Sequence, residues 1–441
     1  MTLADTAAVA PGRRRSPQAT RWVLGIFVFA LAIRLIYLGA VLGLTSPILV
    51  RFDDGEYHLL AQSIAAGHGM SHDGHPSAAV SPGYPTFLAA CYAVFGPYPV
   101  APRLVQAVLG AATAALLVAL AFELGLGLVA AALAGLVASV YPSAIFFTGR
   151  YFPMVLHTFL LTVTVFGLVR WGRRGGMGWA LSALALAAAA LVRADTLMLA
   201  PLLAIAVFLL RRPAREALTA AVAILVCVAG LHGAWVFRNL RVLGRPVLTT
   251  TQASRARWEG NNPWARGGFA LEDQILARYQ GIPDPADLSP SMREQLAGMR
   301  RIEAARVGMS EVWLDSCYAD LMERWRTHYP REYRANLVRK IVTFASPWPG
   351  QGGEVLRRYR YVILLSSGLV MPLAALGFVV ARRRGPGGWV LLAVLAQALA
   401  SAIIIFGHAR FRYAAETLFI PYAAFGATWA FERITHRPGR A

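Results

Sequence analysis

WVLGIFVFALAIRLIYLGAVLGL, residues 22–44, is followed a few positions later by RFDDGEYHLLAQSIAAGHG, residues 51–69. As a helix rising about 1.5 Å per residue, the first stretch is long enough to cross a hydrocarbon layer of roughly 30 Å. The second places two aspartates and a glutamate at the start of a short amphipathic helix, at the bilayer edge. Tyr57, Leu60, Ala61, Ile64 and Ala65 recur at helical spacing and give that helix an apolar face. Gly67 is placed to end it. Asp53-x-x-Glu56 has the pattern of an N-capping box, and acids suit the positive end of a helix. A helix N-terminus also holds a carboxylate rigid and ionised, so the pattern leaves capping and chemistry equally open.

The rest of the chain repeats the apolar theme. Of 441 residues 57% are hydrophobic and only 15% charged, which excludes an ordinary soluble domain. The net charge of +20 rests almost wholly on arginine, Lys340 being the only lysine. Much of that arginine lies in short loops between apolar runs, where it sets membrane orientation, so nucleic acid is not the expected partner. Cys91, Cys227 and Cys317 are too few and scattered for a disulfide framework. The run after Arg13, Arg14 and Arg15 is too long for a cleaved signal peptide and reads as a retained first span.

Ten spans are expected, near 22–44, 103–122, 126–146, 151–170, 177–192, 195–211, 216–236, 360–381, 387–407 and 412–432. YPTFLAACYAVFG (84–96) is too short and reads as interfacial or re-entrant. With the N-terminus cytoplasmic, ten crossings place RWGRRGG (170–176), RRPAR (211–215), RRR (382–384) and RITHRPGR (433–440) on one side, as the positive-inside rule requires. The expected fold is an all-α polytopic membrane protein with a small, mostly helical extracytoplasmic domain. Residues 1–21 form a disordered cytoplasmic N-terminus and 22–238 an N-terminal transmembrane module containing the outer loop 45–102. Residues 239–358 form the extracytoplasmic domain, 359–432 the C-terminal spans and 433–441 a cytoplasmic tail. Of the 23 acidic residues, 13 lie in 239–358.

Asp53-Asp54-Gly55-Glu56-Tyr57-His58-Leu59-Leu60-Ala61 fits D-[DE]-x-x-Y-x-x-x-A, and in this it resembles the first outer-loop motif of the GT-C glycosyltransferases. Relatives of that kind include dolichyl-phosphate-mannose protein mannosyltransferases, aminoarabinose transferases and rhizobial lipopolysaccharide glycosyltransferases. SPGYPTFLAACYAVFG (81–96) resembles the Pro-x-x-Pro end of the same loop, and LVRADTLMLAPL (191–202) the mid-chain arginine hairpin. WVFRNLRVLGRPVLTTT (235–251) with EGNNPW (259–264), and HARFRYAAETLFIPYAAFG (408–426), resemble two further passages, in the family's order.

The resemblance implies an inverting transfer of sugar from a polyprenyl-phosphate donor to an envelope glycan, lipid or protein, at the outer face of the cell membrane. It assigns Asp53 as base, because an acceptor hydroxyl needs a group to take its proton. Asp54 is the second catalytic candidate, as an orienting group. A phosphate leaving group gains charge that arginine can stabilise, which makes Arg410, Arg412, Arg238 and Arg150 the donor-phosphate candidates. Tyr57, Glu56, Asn261, Asn262 and Trp264 are candidate substrate contacts. Arg193 and Asp195 interrupt apolar sequence, which suggests function or a structural ion pair with equal weight.

No cofactor is required on this reading. A divalent metal is not predicted: GHGMSHDGH carries His68, His72, His75 and Asp73 at no standard zinc spacing and reads as a loop closing over the acceptor. Three positions depart from the family pattern. Pro153-Met154 stands where relatives carry Pro-Glu, His408 stands where they often carry an acid, and the first loop has no lysine, which argues against lipid A as acceptor. The alternative from another class is a transporter or flippase for a lipid-linked substrate, which predicts inverted repeats that the sequence does not show. An O-antigen-ligase-type enzyme is disfavoured by the Asp-Asp motif directly after the first span.

Overall fold

The computed structural model describes residues 17–48, 53–283, 285–306, 308–347 and 360–435. The expected disordered tails fall largely on residues 1–16 and 436–441, outside the described residues. Each of the ten apolar runs is helical. They form α1 (Pro17–Ile36, continued by a π-helical turn Tyr37–Leu42), α4 (Val100–Glu123), α5 and α6 (Leu128–Val140 and Pro142–Thr148), α7 (Met154–Arg174) and α8 (Gly178–Val192). A split segment around α9 (Leu199–Ala206), then α10 (Ala214–Leu243), α16 (Arg360–Ala381), α17 (Gly388–Ile404) and α18 (Ala409–Thr435) complete the set.

Four helical stretches, Gln18–Leu42, Val100–Glu123, Met154–Arg174 and Ala214–Leu243, are each long and apolar enough to cross a bilayer, and the bent pair α5–α6 is a fifth. The other apolar helices are shorter or more polar. The 47° bend of α5–α6 has a local cause. Tyr141 precedes Pro142, whose ring excludes it from the helical region, and it is extended at ψ 115°.

The described part of the segment between the first two long helices is built of short elements. It holds α2 (Asp53–Ala65), a hairpin of β1 (Ser71–His72) and β2 (His75–Pro76), and α3 (Gly83–Phe95). Helix α2 ends in a Schellman motif: Gly67 takes φ +84°, its N–H donates to Ile64 O at 3.0 Å, and His68 N–H donates to Ser63 O at 3.0 Å. Tyr57, Leu60, Ala61 and Ile64 pack inward as their spacing requires, against Tyr84, Leu88, Trp235 and their neighbours, whereas Ala65 is exposed. The GHGMSHDGH stretch is a β-hairpin, because Asp73 (φ 49°) and Gly74 (φ 80°) supply the two left-handed residues of a two-residue turn.

Residues 253–345 form a separate helical unit of α11 (Ala253–Gly260), α12 (Glu272–Arg278), α13 (Pro290–Ala305), α14 (Glu311–His328) and α15 (Pro330–Ala345). Its own core gathers Trp258, Leu296, Met299, Tyr318 and Leu321. Ser289 and Ser310 cap α13 and α14, their hydroxyls accepting from Met292 N and Trp313 N, and Pro290 and Pro330 occupy first turns.

This unit docks onto the end of α17. Lys340 is fully buried, and its ammonium donates to Asn261 Oδ1 at 2.7 Å, Ile403 O at 2.8 Å and Ile405 O at 2.9 Å. Three donors meet three acceptors, two of them carbonyls that the helix end leaves unpaired. Gly260 permits the contact: a Cβ there would lie 1.8 Å from Ile405 O.

Candidate active site

Asp53 already lies within helix α2, among the acids of its first turn. Its carboxylate faces Arg410, with Arg410 Nη1 3.5 Å from Asp53 Oδ2, and 59% of the Asp53 side chain remains exposed. The Arg410 guanidinium is backed by two rings, Phe152 at 5.6 Å and Phe406 at 5.3 Å. Its backbone N–H donates to His408 Nδ1 at 3.0 Å. Burial, helped by Arg410 and Arg412, pushes the His408 imidazole down to about 3. It is therefore a neutral acceptor where the family pattern has an acid.

Asp54 does a different job. It is buried, and its carboxylate accepts from Arg150 Nη2 at 2.9 Å and from the Tyr151 N–H at 3.2 Å. Burial raises its pKa and Arg150 opposes the shift. Gln106 pins the same backbone segment by donating to Thr148 O and Arg150 O, while accepting from the Tyr84 hydroxyl. The Asp-Asp pair thus divides into one open carboxylate and one that anchors Arg150.

Tyr57 stands edge-on to Tyr84 at 5.0 Å and to Phe152 at 6.3 Å. Burial and the charges of Asp53 and Glu56 raise its hydroxyl pKa, while Arg193 and Arg410 pull it down. Arg193 therefore belongs to this cluster. Helix α8 stops at Arg193, which is extended (φ −142°, ψ 115°), forms a two-pronged pair with Asp195 at 3.1 and 3.0 Å, and lies 5.3 Å from the Phe411 ring.

Two further acids approach from the other side. Glu56 accepts from Gln252 Nε2 at 3.2 Å, and burial raises its pKa, with Asp53 and Glu311 adding to the effect. Glu259, the first residue of EGNNPW, is pushed up to about 7 by burial, against the pull of Arg255 and Arg410 and with the Asp53 charge adding to the rise. The sequence by itself leaves Glu259 unassigned within EGNNPW, and leaves Arg193 divided between function and an ion pair with Asp195. In both cases the signal was present as an ionisable residue inside a quoted motif.

The other sequence candidates are held elsewhere. Arg412 is buried; it pairs with Glu416 at 3.3 Å and donates to Phe344 O and, at 2.9 Å, to Ser346 O. Arg238 donates to Ser77 O at 2.9 Å and Met70 O at 2.7 Å and lies over Trp235, so it fastens the hairpin to α10. Asn261 is part of the Lys340 junction, and Asn262 accepts from Trp264 N and Ala265 N in a side-chain-closed turn. Trp264 packs 6.4 Å from Tyr279. These three build the joint that carries Glu259 rather than an open surface. Among the described residues, no group of three or more His, Cys, Asp or Glu side chains is arranged to hold a metal ion.

The fold on which this cluster is mounted is shared with a solved membrane-lipid-binding oligosaccharyltransferase. The oligosaccharyltransferase AglB from Archaeoglobus fulgidus, solved with an inhibitory peptide and a dolichol-phosphate, aligns over 96% of this chain at 14% identity with a TM-score of 0.51. The chain spans only 53% of that protein's length. ArnT from Cupriavidus metallidurans bound to undecaprenyl phosphate aligns over 94% of this chain and 80% of its own, at 15% identity and a TM-score of 0.43. No protein-family profile matches the chain, and no curated protein matches it by sequence.

Proposed function

We propose that the chain is a membrane glycosyltransferase that moves a sugar from a polyprenyl-phosphate donor to an envelope acceptor at the extracytoplasmic face, using all ten helical runs as spans. The observation that carries this reading is the exposed Asp53 carboxylate set 3.5 Å from an aromatic-backed Arg410, with the Arg193 charge acting on both Arg410 and Tyr57, and Arg150 held by the neighbouring Asp54. AglB, solved with a dolichol-phosphate, supports a lipid-linked donor of the same kind.

In this mechanism the acceptor hydroxyl attacks the sugar C1 as Asp53 takes its proton. The C1–O bond to phosphate breaks, and its electron pair leaves with the phosphate. Arg410 exchanges the Asp53 carboxylate for the phosphate oxygens and, with Arg193, stabilises the charge that develops there. Attack opposite the leaving group inverts the anomeric centre. Arg150, held by Asp54, fixes the side of the site nearest α2. Glu56, Tyr57 and Glu259 line the acceptor side. Arg412 and Arg238 are left as fasteners, because their guanidiniums are already engaged.

The test uses purified protein in lipid nanodiscs, a panel of polyprenyl-phosphate sugars and crude envelope acceptors. Mass spectrometry follows release of free polyprenyl phosphate for wild type and Asp53→Asn. Sugar-dependent release that collapses in the variant is the expected result. No consumption of any donor, with labelled lipid-sugar crossing the bilayer equally in both proteins, would establish a transporter instead.

A further inference from the structure

Away from this site, Arg34 of α1 is buried inside the helical bundle, at 1% exposure. Its Nη1 donates to Ala30 O at 3.0 Å and Ser139 O at 3.3 Å, both neutral carbonyls. Among the described residues no carboxylate pairs with it. Glu416, on the neighbouring α18, already answers Arg412 and accepts from the Tyr141 hydroxyl. A lone guanidinium inside a membrane bundle costs several kcal/mol unless something supplies the opposite charge.

A partly enclosed space adjoins it. Arg34, Thr113, Tyr141, Thr158, Tyr413 and Thr417 line a cavity of about 20 Å³ where α1, α4, α5, α7 and α18 converge. Two of these groups, Arg34 Nε and the Thr158 hydroxyl, are buried without a hydrogen-bond partner. Gly110 shapes the wall, since a Cβ there would lie 2.5 Å from Arg34 Nε. The room suits one small body, a water molecule or a monatomic ion. A water would satisfy both donors but leave the charge unanswered. We infer that this cavity is a binding site for a small monovalent anion, chloride in an ordinary medium, held by Arg34 Nε and the hydroxyl of Thr158.

Such an anion would complete the charge balance of the five-helix junction. It would also steady α18, which presents Arg410 at its first turn. The inference stands independently of the glycosyltransferase reading.

The experiment is a thermal melt of the full chain in nanodiscs, at fixed ionic strength, with chloride replacing gluconate. Above the dissociation constant, Tm should rise about 1.5 °C per tenfold increase in chloride for a chain of this length. Thr158→Val should weaken half-saturation about tenfold, as loss of a hydrogen bond to a charged group does. Arg34→Gln should abolish the response. Crystals grown with bromide should show an anomalous peak in the cavity, which decides the matter if Arg34→Gln fails to fold. Equal melting in chloride and gluconate, or a crystal with only water in the cavity, overturns the inference.

Discussion

Truncating Asp54 to alanine separates the two aspartates of α2 by their physical roles. Asp54 is 4% exposed and binds Arg150 at 2.9 Å, so its removal leaves a cation without its partner and the Tyr151 N–H without its acceptor. Breaking a fully buried pair costs about 3–5 kcal/mol. The Arg150 side chain keeps 27% of its surface, and water recovers part of that loss, leaving about 2–3 kcal/mol. With an unfolding entropy of about 2.1 cal/mol/K per residue, Asp54→Ala should lower Tm by about 2–3 °C. Asp53 is 59% exposed and its contact with Arg410 is longer, so Asp53→Asn should shift Tm by less than about 1 °C. Its cost should fall on turnover instead, about 10²–10⁴-fold if it is the base. Scanning fluorimetry and donor turnover on the same nanodisc samples read both quantities. Refutation would be an Asp53→Asn protein that melts as low as Asp54→Ala while the latter keeps full turnover; the assignments would then be reversed.

Other outcomes follow from single contacts. Arg410→Gln should leave Tm nearly unchanged and reduce kcat/KM for the lipid donor at least about tenfold, read from donor titrations, because a charge-assisted phosphate contact is lost. Lys340→Met orphans Asn261 Oδ1, Ile403 O and Ile405 O, and thermal melts should show a drop of about 3 °C or more, at about 1–3 kcal/mol per buried unmade bond. Burial holds the Lys340 amine down to about 7 against 10.5 when unfolded, so the unfolded chain binds the extra proton and stability should rise between pH 7 and 10.5. Glu259 behaves in the opposite sense. Its carboxyl sits at about 7 folded against 4.5 unfolded, so the folded chain holds the extra proton and stability should fall as pH rises from 4.5 to 7. Melting curves of Glu259→Gln across that window should lose this fall.

Much of the architecture was legible because it depends on local quantities. Apolar run length marks helices that can span hydrocarbon, Arg193 interrupts apolar sequence where α8 stops, and Gly67 marks where α2 ends. The hairpin at 71–76 was also written in the chain, as Asp73-Gly74, but histidine and glycine content drew attention from the turn chemistry. Helix α2 with its acidic start needed only periodicity and composition.

What tertiary structure decided was the partner of each charge. The sequence offers arginines 410, 412, 238 and 150 as phosphate candidates, and leaves Arg193 divided between function and an ion pair. Packing then commits Arg412 to Glu416 and two carbonyls, ties Arg238 to the hairpin, and leaves Arg410 opposite Asp53. Likewise Asp53 and Asp54 are neighbours in sequence but point about a quarter-turn apart or more on a helix, so one reaches the interior and the other the open site. Asn261 became part of a joint only because Lys340, 79 residues away, reaches it. Helix formation is a property of a few adjacent residues, whereas pairing depends on distances between segments far apart in the chain, and no local pattern encodes those.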